Sequence, residues 1–239
     1  MIDVTYINHM GSDLTVVNAA RVSFGKRQEN FDAEKDSRLI RYLAKHRHTS
    51  PFGHCFASFH VKAPVFVARQ LVKHKFLRWN EISRRYVDGK PEFYMPNEWR
   101  GRSQDKKQGS EGVITKLEWS ERDDDWDEYY PDDKKYLQPW CNYEDTPENL
   151  TEYVNEKALY VYNVLLECGV CPEQARMLLP QSMMTEWYWS GSLDAFADMC
   201  HLRCSSDTQA ESREVAELIE DQMMDLFPVS WEALRMYAE

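Results

Sequence analysis

The sequence predicts an α+β fold: a mainly antiparallel sheet packed with helices, and a C-terminal third that is helical. Two patterns carry that prediction. Residues 54–63, HCFASFHVKA, put Cys55, Ala57, Phe59, Val61 and Ala63 on one face and His54, Ser58, His60 and Lys62 on the other, as a half-buried strand does. From residue 146 onward helix signals dominate. Thr146-Pro147 opens a long run with Leu150, Val154, Ala158, Val161 and Leu165 among its apolar positions, and Cys168-Gly169 closes it. The overall order is strand, helix, strand, helix, then helices, which suits a sheet covered on one side.

Taken in order, residues 1–24 read as a short strand, a polar turn at Gly11-Ser12-Asp13 and a small apolar segment. From Asp32 to His46, Leu39, Ile40 and Leu43 share one helical face, and the run His46 to Pro51 ends the helix. After the strand at 54–63, Pro64 suits the first position of a helix buried through Val65, Phe66, Ala68, Leu71 and Val72. Arg69 and Lys73 stand four apart, as do Gln70 and His74, so polar groups emerge near that helix's C-terminal end. Residues 97–145 are polar, then acidic and aromatic, and read as an irregular insertion in one domain spanning 1–239. A further helix starts near Pro172. After the aromatic segment TEWYWSGS, one runs from Leu193 to Arg203, and Ser206, three before Gln209, resembles a capping box for a last helix reaching Leu226.

Composition narrows the function. At 239 residues, with 43% hydrophobic and 13% aromatic content, the chain can bury a core and is globular. A net charge of −11 disfavours the broad basic surface that non-specific nucleic-acid binding needs, so no nucleic-acid partner is expected. No signal-peptide pattern opens the chain, and no apolar run approaches the ~20 residues that span a bilayer; no membrane partner and a cytoplasmic location are expected. Cys168 and Cys171 form a C-x-x-C, and Cys200 and Cys204 stand one helical turn apart. Without a second knuckle pair they read as small apolar residues in a reducing compartment, and no metal is expected.

Against this acidic background, residues 69–86, RQLVKHKFLRWNEISRRY, hold six Lys/Arg and one Glu. No nucleophile elbow surrounds Ser83, and His46, His48, His54 and His60 lack carboxylates or cysteines at metal spacing. Gly-x-Gly-x-x-Gly and P-loop patterns are absent. What remains is cationic and amide-rich. Arg offers a planar donor fork to phosphate and Lys a point charge. Gln70 and Asn80 can read the edges of a flat heterocycle, Glu81 can accept from a ring N–H or sugar hydroxyl, and Trp79 and Tyr86 can stack. The set suits a nucleotide or flavin pocket.

This run resembles the motif of flavin-dependent thymidylate synthases, Arg-His-Arg, seven residues, then Ser. Lys73-His74-Lys75 stands for Arg-His-Arg, while Asn80, Glu81, Ser83, Arg85 and Tyr86 match directly. HTSPFGHCFASFHVKAP (48–64), PEFYMP (91–96), EQARMLLP (173–180) and LRCSSDTQAE (202–211) resemble further blocks of the family, so only 97–145 is left largely unmatched. The resemblance implies a homotetramer with active sites shared between subunits, bound FAD, and NADPH and methylenetetrahydrofolate as co-substrates in the reductive methylation of dUMP to dTMP. By position it implies dUMP contacts from Gln70, Lys73, Glu81, Ser83, Arg85, Arg176 and Arg203, with Arg203 the catalytic cation that favours ionised N3 of uracil. Ser50, Lys73, His74, Lys75, Asn80, Glu81, Ser192, Asp194 and Asp198 would line the flavin, and His48 would stand near its face. Several positions depart from the family pattern. Lys73 and Lys75 replace Arg, keeping charge but losing the planar fork. Gly53 replaces Glu, Arg78 stands near the usual Ser, Asp198 replaces Asn and Asp207 replaces His. Two alternatives stay open on these residues: a flavin-dependent hydroxymethylase acting on dUMP or dCMP, and a non-catalytic nucleotide-binding protein on the same fold.

Overall fold

The structure is a computed structural model that describes residues 1–87, 89–103, 110–117 and 146–237. The chain divides into two compact units, Met1–Ser83 with Met184–Glu239, and Arg84–Met183.

The first unit begins with β1 (Asp3–Met10), α1 (Asp13–Arg21) and α2 (Lys35–Lys45), followed by β2 (Phe56–Pro64), α3 (Val65–Leu71) and β3 (Leu77–Glu81). The second unit contributes β4 (Arg100–Arg102), β5 (Ser110–Val113), α4 (Pro147–Glu167) and α5 (Pro172–Ala175). The chain then returns to the first unit with β6 (Met184–Ser192), α6 (Leu193–Arg203), α7 (Ala210–Leu226) and α8 (Pro228–Met236). The expected α+β architecture is present: the four-stranded sheet runs β1-β2-β6-β3 and every neighbouring pair is antiparallel. Among the described residues no helix is long and apolar enough to cross a membrane.

The alternation read in β2 decides which face is buried. Cys55, Ala57, Phe59, Val61 and Ala63 are all at most 1% exposed. Their partners across the ladder on β6 include Trp187 opposite Val61 and Trp189 opposite Phe59. Phe196 of α6 meets Phe59 edge-on at 5.2 Å and Trp189 at 5.8 Å, so α6 covers this face. The other face carries polar side chains, with Ser190 and Ser58 hydroxyls 2.8 Å apart and His60 Nε2 3.2 Å from Glu186.

Several boundaries differ from the sequence expectation for local reasons. Helix α2 starts at Lys35 rather than Asp32 because the Asp32 carboxylate accepts from the Glu34 and Lys35 amides, closing a turn ahead of the helix. Buried Asp36 ties that turn down, accepting from Arg21 at 2.7 Å and from the Asp32 amide at 2.7 Å. Helix α3 is shorter than expected and buries Val67, Ala68 and Leu71, leaving Val72 exposed; Lys73 and His74 therefore lie beyond it. Ser206 does not cap the last long helix. That helix begins at Ala210 after Gln209, and the Ser206 carbonyl instead accepts from Arg213 at 3.1 Å.

In the first unit, strands β3 and β6 and helix α8 were not expected. β6 is one of the two interior strands of the sheet, and β3 lies inside the basic run. Helix α8 follows Phe227, with Pro228 at its first position, and its free Val229 and Ser230 amides are accepted by Asp13 at 3.1 and 2.8 Å.

In the second unit, Thr146 caps α4 as expected, its hydroxyl accepting from the Asn149 amide. The helix buries Pro147, Asn155 and Tyr162, whereas Val154 and Val161 of the expected apolar row are 54% and 41% exposed. β4 and β5 pair within the region expected to be irregular. Within that region, residues 104–109 and 118–145 lie outside the described residues.

Candidate active site

The basic run folds as helix end, turn and strand. After α3 the His74 amide bonds the Leu71 carbonyl at 3.1 Å, and Phe76 takes a left-handed φ of 65° that turns the chain into β3. Gly191 of β6 permits this turn. A Cβ there would sit 2.3 Å from Leu77 Cδ2 and 3.2 Å from the Phe76 carbonyl oxygen. Pairing of Leu77 with Gly191 and Glu81 with Trp187 then places Leu77, Trp79 and Glu81 on the helix-covered side, while Arg78 and Asn80 point to the polar side.

Each polar residue expected to bind ligand has a definite place. Lys73 and Lys75 project from the turn, exposed, with His74 half-buried between them. Arg203, in the last turn of α6, donates from Nε to His74 Nε2 at 2.9 Å, so residues 129 positions apart meet here. Burial, followed by the charge of Arg203, lowers the His74 pKa to about 4. Gln70 is anchored toward α7: its oxygen accepts from Ser212 at 2.9 Å and its nitrogen donates to Gln209. Glu81 accepts from the Trp79 indole at 3.1 Å and from buried Thr185 at 2.7 Å. Trp79 in turn stacks on Trp187 at 4.3 Å. Ser83 ends the first unit, half-buried. Arg85 and Arg176 belong to the second unit; Arg85 lies over the Tyr86 ring at 4.9 Å, and Arg176 is exposed in a 3-10 turn after α5.

A second cluster gathers at the start of α6. The Leu193 amide bonds the Cys55 carbonyl at 2.9 Å, stitching that helix to the turn where the Gly53 amide bonds the Ser50 carbonyl at 3.2 Å. Ser192 occupies the cap position without a side-chain cap. Asp194 Oδ1 is buried and has no hydrogen-bond partner among the described residues. Burial and the charge of Asp194 raise the Asp198 pKa, partly offset by His201 and Arg47. His48 packs with Tyr42 and His46, at ring distances of 6.1 and 6.3 Å.

Helix α6 thus links the two clusters, with Asp194 and Arg203 about 13 Å apart along its axis. The donor set fits an anionic, planar cofactor. Two exposed ammonium groups stand beside the turn, a buried carboxylate oxygen lacks a donor, and a Cβ at Gly53 would meet nothing nearer than that oxygen, at 4.0 Å. The expected residues fall near these two clusters, except Asn80 on the polar face of β3, Ser83 at the end of the first unit, and Arg85 and Arg176 in the second unit. Sequence reasoning missed Thr185, Gln209 and Ser212, which hold Glu81 and Gln70. The period-two pattern Thr185, Trp187, Trp189, Gly191 was the available signal for β6, obscured by Tyr188 on the other face.

The family described as thymidylate synthase complementing protein matches residues 5–229. The chain is 36% identical over 230 residues to the flavin-dependent thymidylate synthase of Thermus thermophilus, covering 96% of this chain and 74% of that one. It is 35% identical over 232 residues to the enzyme of the same name from Thermosipho africanus, covering 97% and 90%. Among solved structures, a UMP/dUMP methylase from Streptomyces cacaoi bound with 5-Br dUMP superposes with a TM-score of 0.77 and 30% identity, over 99% of this chain and 96% of that one. With the basic turn, the Arg203–His74 pair and the α6 cluster in one matched span, the chain belongs to the thymidylate synthase complementing protein family.

Proposed function

We propose that the protein is a flavin-dependent thymidylate synthase, which methylates dUMP reductively to dTMP with methylenetetrahydrofolate as one-carbon donor and FAD, reduced by NADPH, as hydride source. The observation that carries this reading is the junction of Arg203 with the basic turn at His74, 2.9 Å apart. A fixed guanidinium there offsets the negative charge that develops on the pyrimidine when N3 ionises and C5 becomes nucleophilic. In the first unit Gln70, Lys73 and Ser83 hold the nucleotide, with Glu81 kept in place by Trp79 and Thr185. Arg85 and Arg176, in the second unit, are nucleotide contacts on the family resemblance alone. Ser50, Lys73, His74, Lys75, Asn80, Glu81, Ser192, Asp194 and Asp198 line the cofactor. Its bound chemistry is hydride donation, and the Lys73 and Lys75 charges stabilise its anionic reduced form. Asp194 Oδ1 accepts from a cofactor hydroxyl or ring N–H, which supplies the donor it lacks. His48 flanks the folate side of the site.

The assembly we propose is a single-domain subunit in a cytoplasmic homotetramer with shared sites. Its support is the family resemblance and the exposed apolar positions Val154, Val161 and Tyr160 on α4. A second reading, action on UMP as well as dUMP, is favoured by the solved UMP/dUMP methylase.

Product mass tests these readings. The protein is incubated anaerobically with FAD, NADPH and methylenetetrahydrofolate, and dUMP, UMP or dCMP in separate reactions. A methyl group added to dUMP is the expected product. A hydroxymethyl product would reassign the chain as a hydroxymethylase, and unchanged nucleotide with no flavin retained would leave a binding protein. Arg203→Ala is expected to abolish turnover while flavin absorbance is retained; undiminished turnover would remove Arg203 from the mechanism.

A further inference from the structure

We propose that His74 is a positioning residue: as the neutral tautomer protonated on Nδ1, it accepts from Arg203 Nε and fixes the guanidinium, leaving both terminal nitrogens for the pyrimidine ring. The proposal rests on the nucleotide reading given above. An arginine Nε only donates, so the partner atom 2.9 Å away must be a bare nitrogen. An imidazolium would set N–H against N–H beside a second positive charge. Desolvation and the Arg203 charge both oppose that state, which places protonation of His74 near pH 4.

The surroundings hold the imidazole ring rather than the guanidinium. Trp189, 1% exposed, packs against His74 with ring centroids 6.5 Å apart and planes at 60°. The His74 backbone is fixed by its amide bond to Leu71. Among the described residues the Nε bond is the single hydrogen bond Arg203 makes. Without an acceptor at residue 74 the guanidinium would keep its charge and lose its orientation.

The arrangement also has a polarity. With Nε2 occupied by Arg203, the neutral ring presents Nδ1–H, and Arg203 presents the N–H groups of its two terminal nitrogens. Every free polar group of the pair is a donor. A donor-only pair matches a ring edge made of carbonyl oxygens and a deprotonated nitrogen. It mismatches an edge bearing an amino group, so it selects an ionised uracil over a cytosine.

Two variants and one spectrum test this. His74→Phe keeps a ring of similar size without the acceptor, and His74→Gln places an amide oxygen where Nε2 was. On flavin-loaded protein, dUMP affinity measured by calorimetry should fall at least about tenfold in His74→Phe, the loss that follows removal of a hydrogen bond to a charged group. His74→Gln should recover most of it. Equal affinity in His74→Phe and wild type, or equal weakness in both variants, would overturn the positioning role. Histidine 15N spectra at pH 7 resolve seven residues, and the resonance lost in His74→Gln identifies residue 74. A bare Nε2 with protonated Nδ1 is expected; a proton on Nε2 would overturn the arrangement whatever the affinities. Wild-type protein that fails to bind dUMP would instead remove the nucleotide reading beneath the proposal, an outcome the spectrum distinguishes.

Discussion

β2 and β3 flank the same strand, β6, and use it differently. β2 pairs with it over nine residues, and its inward side chains from Cys55 to Ala63 vanish into the core under α6. β3 pairs over five residues; on its inward side Leu77 and Trp79 are only half-buried and Glu81 is exposed. The last inward position of β3 is the exposed carboxylate of Glu81, oriented by Thr185 and the Trp79 indole. The interior strand supplies stability. The edge strand gives up burial and carries the turn on which the cationic groups stand, which is where a ligand can reach them.

Four perturbations sharpen or break this contrast, from large to small. Phe59→Ala should cost about 3–5 kcal/mol, because a fully buried ring in edge contact with Phe196 leaves a cavity. Denaturant unfolding measures it, and a loss under about 1 kcal/mol would deny β2 its central role. Gly191→Val should cost about 1–3 kcal/mol by overpacking against Leu77 and the Phe76 carbonyl. Its dUMP affinity should fall further than the stability loss explains, since β3 and the basic turn move together. Amide exchange should quicken at residues 77–81 and not along β2; a uniform response would merge the two strands into one unit. Thr185→Val should cost about 1 kcal/mol, removing the donor to Glu81 while preserving shape. Its dUMP affinity should fall while unfolding cooperativity holds; unchanged affinity would remove Glu81 from the nucleotide site.

Asp198→Asn, at the α6 end stitched to the β2 turn, should raise the melting temperature by about 1–2 °C at pH 7. The carboxyl's folded pKa is raised above its ordinary 3.8 by burial and by Asp194. Its favourable contribution is therefore complete below 3.8 and lost as pH rises through the folded value, so at neutral pH the charge is a burden that Asn removes. The gain should disappear when the two melting curves are compared near pH 3. A destabilised Asn variant at pH 7 would show that the Asp198 charge has a favourable partner.

Local pattern carried the reading wherever one segment holds its own evidence. Alternation in 54–63 revealed β2 and its buried face, Thr146-Pro147 and Cys168-Gly169 bracketed α4, and the density of Lys and Arg in 69–86 marked the site. Such signals come from periods of two or 3.6 residues and from caps within one turn, so neighbours in sequence are enough to show them. β3 was illegible because its alternation is only Leu77 and Trp79 long and breaks at Glu81, too short a signal inside a basic run. It is a strand because β6 offers hydrogen bonds and Gly191 offers room.

The same holds for Arg203 and His74. Each residue was identified by resemblance, but the bond between them spans 129 positions and exists because α6 crosses the sheet to the end of α3. Asp13 capping α8, 216 positions away, is of the same kind. The sequence by itself determined which segments become strands and helices when their own periodicity suffices, and where positive charge accumulates. The tertiary structure alone decided the interior strand β6, the partners that fix Gln70, Glu81 and Arg203, and the proton state of His74. Hydrogen-bond complementarity and desolvation depend on what packs beside a group, and no local pattern records that.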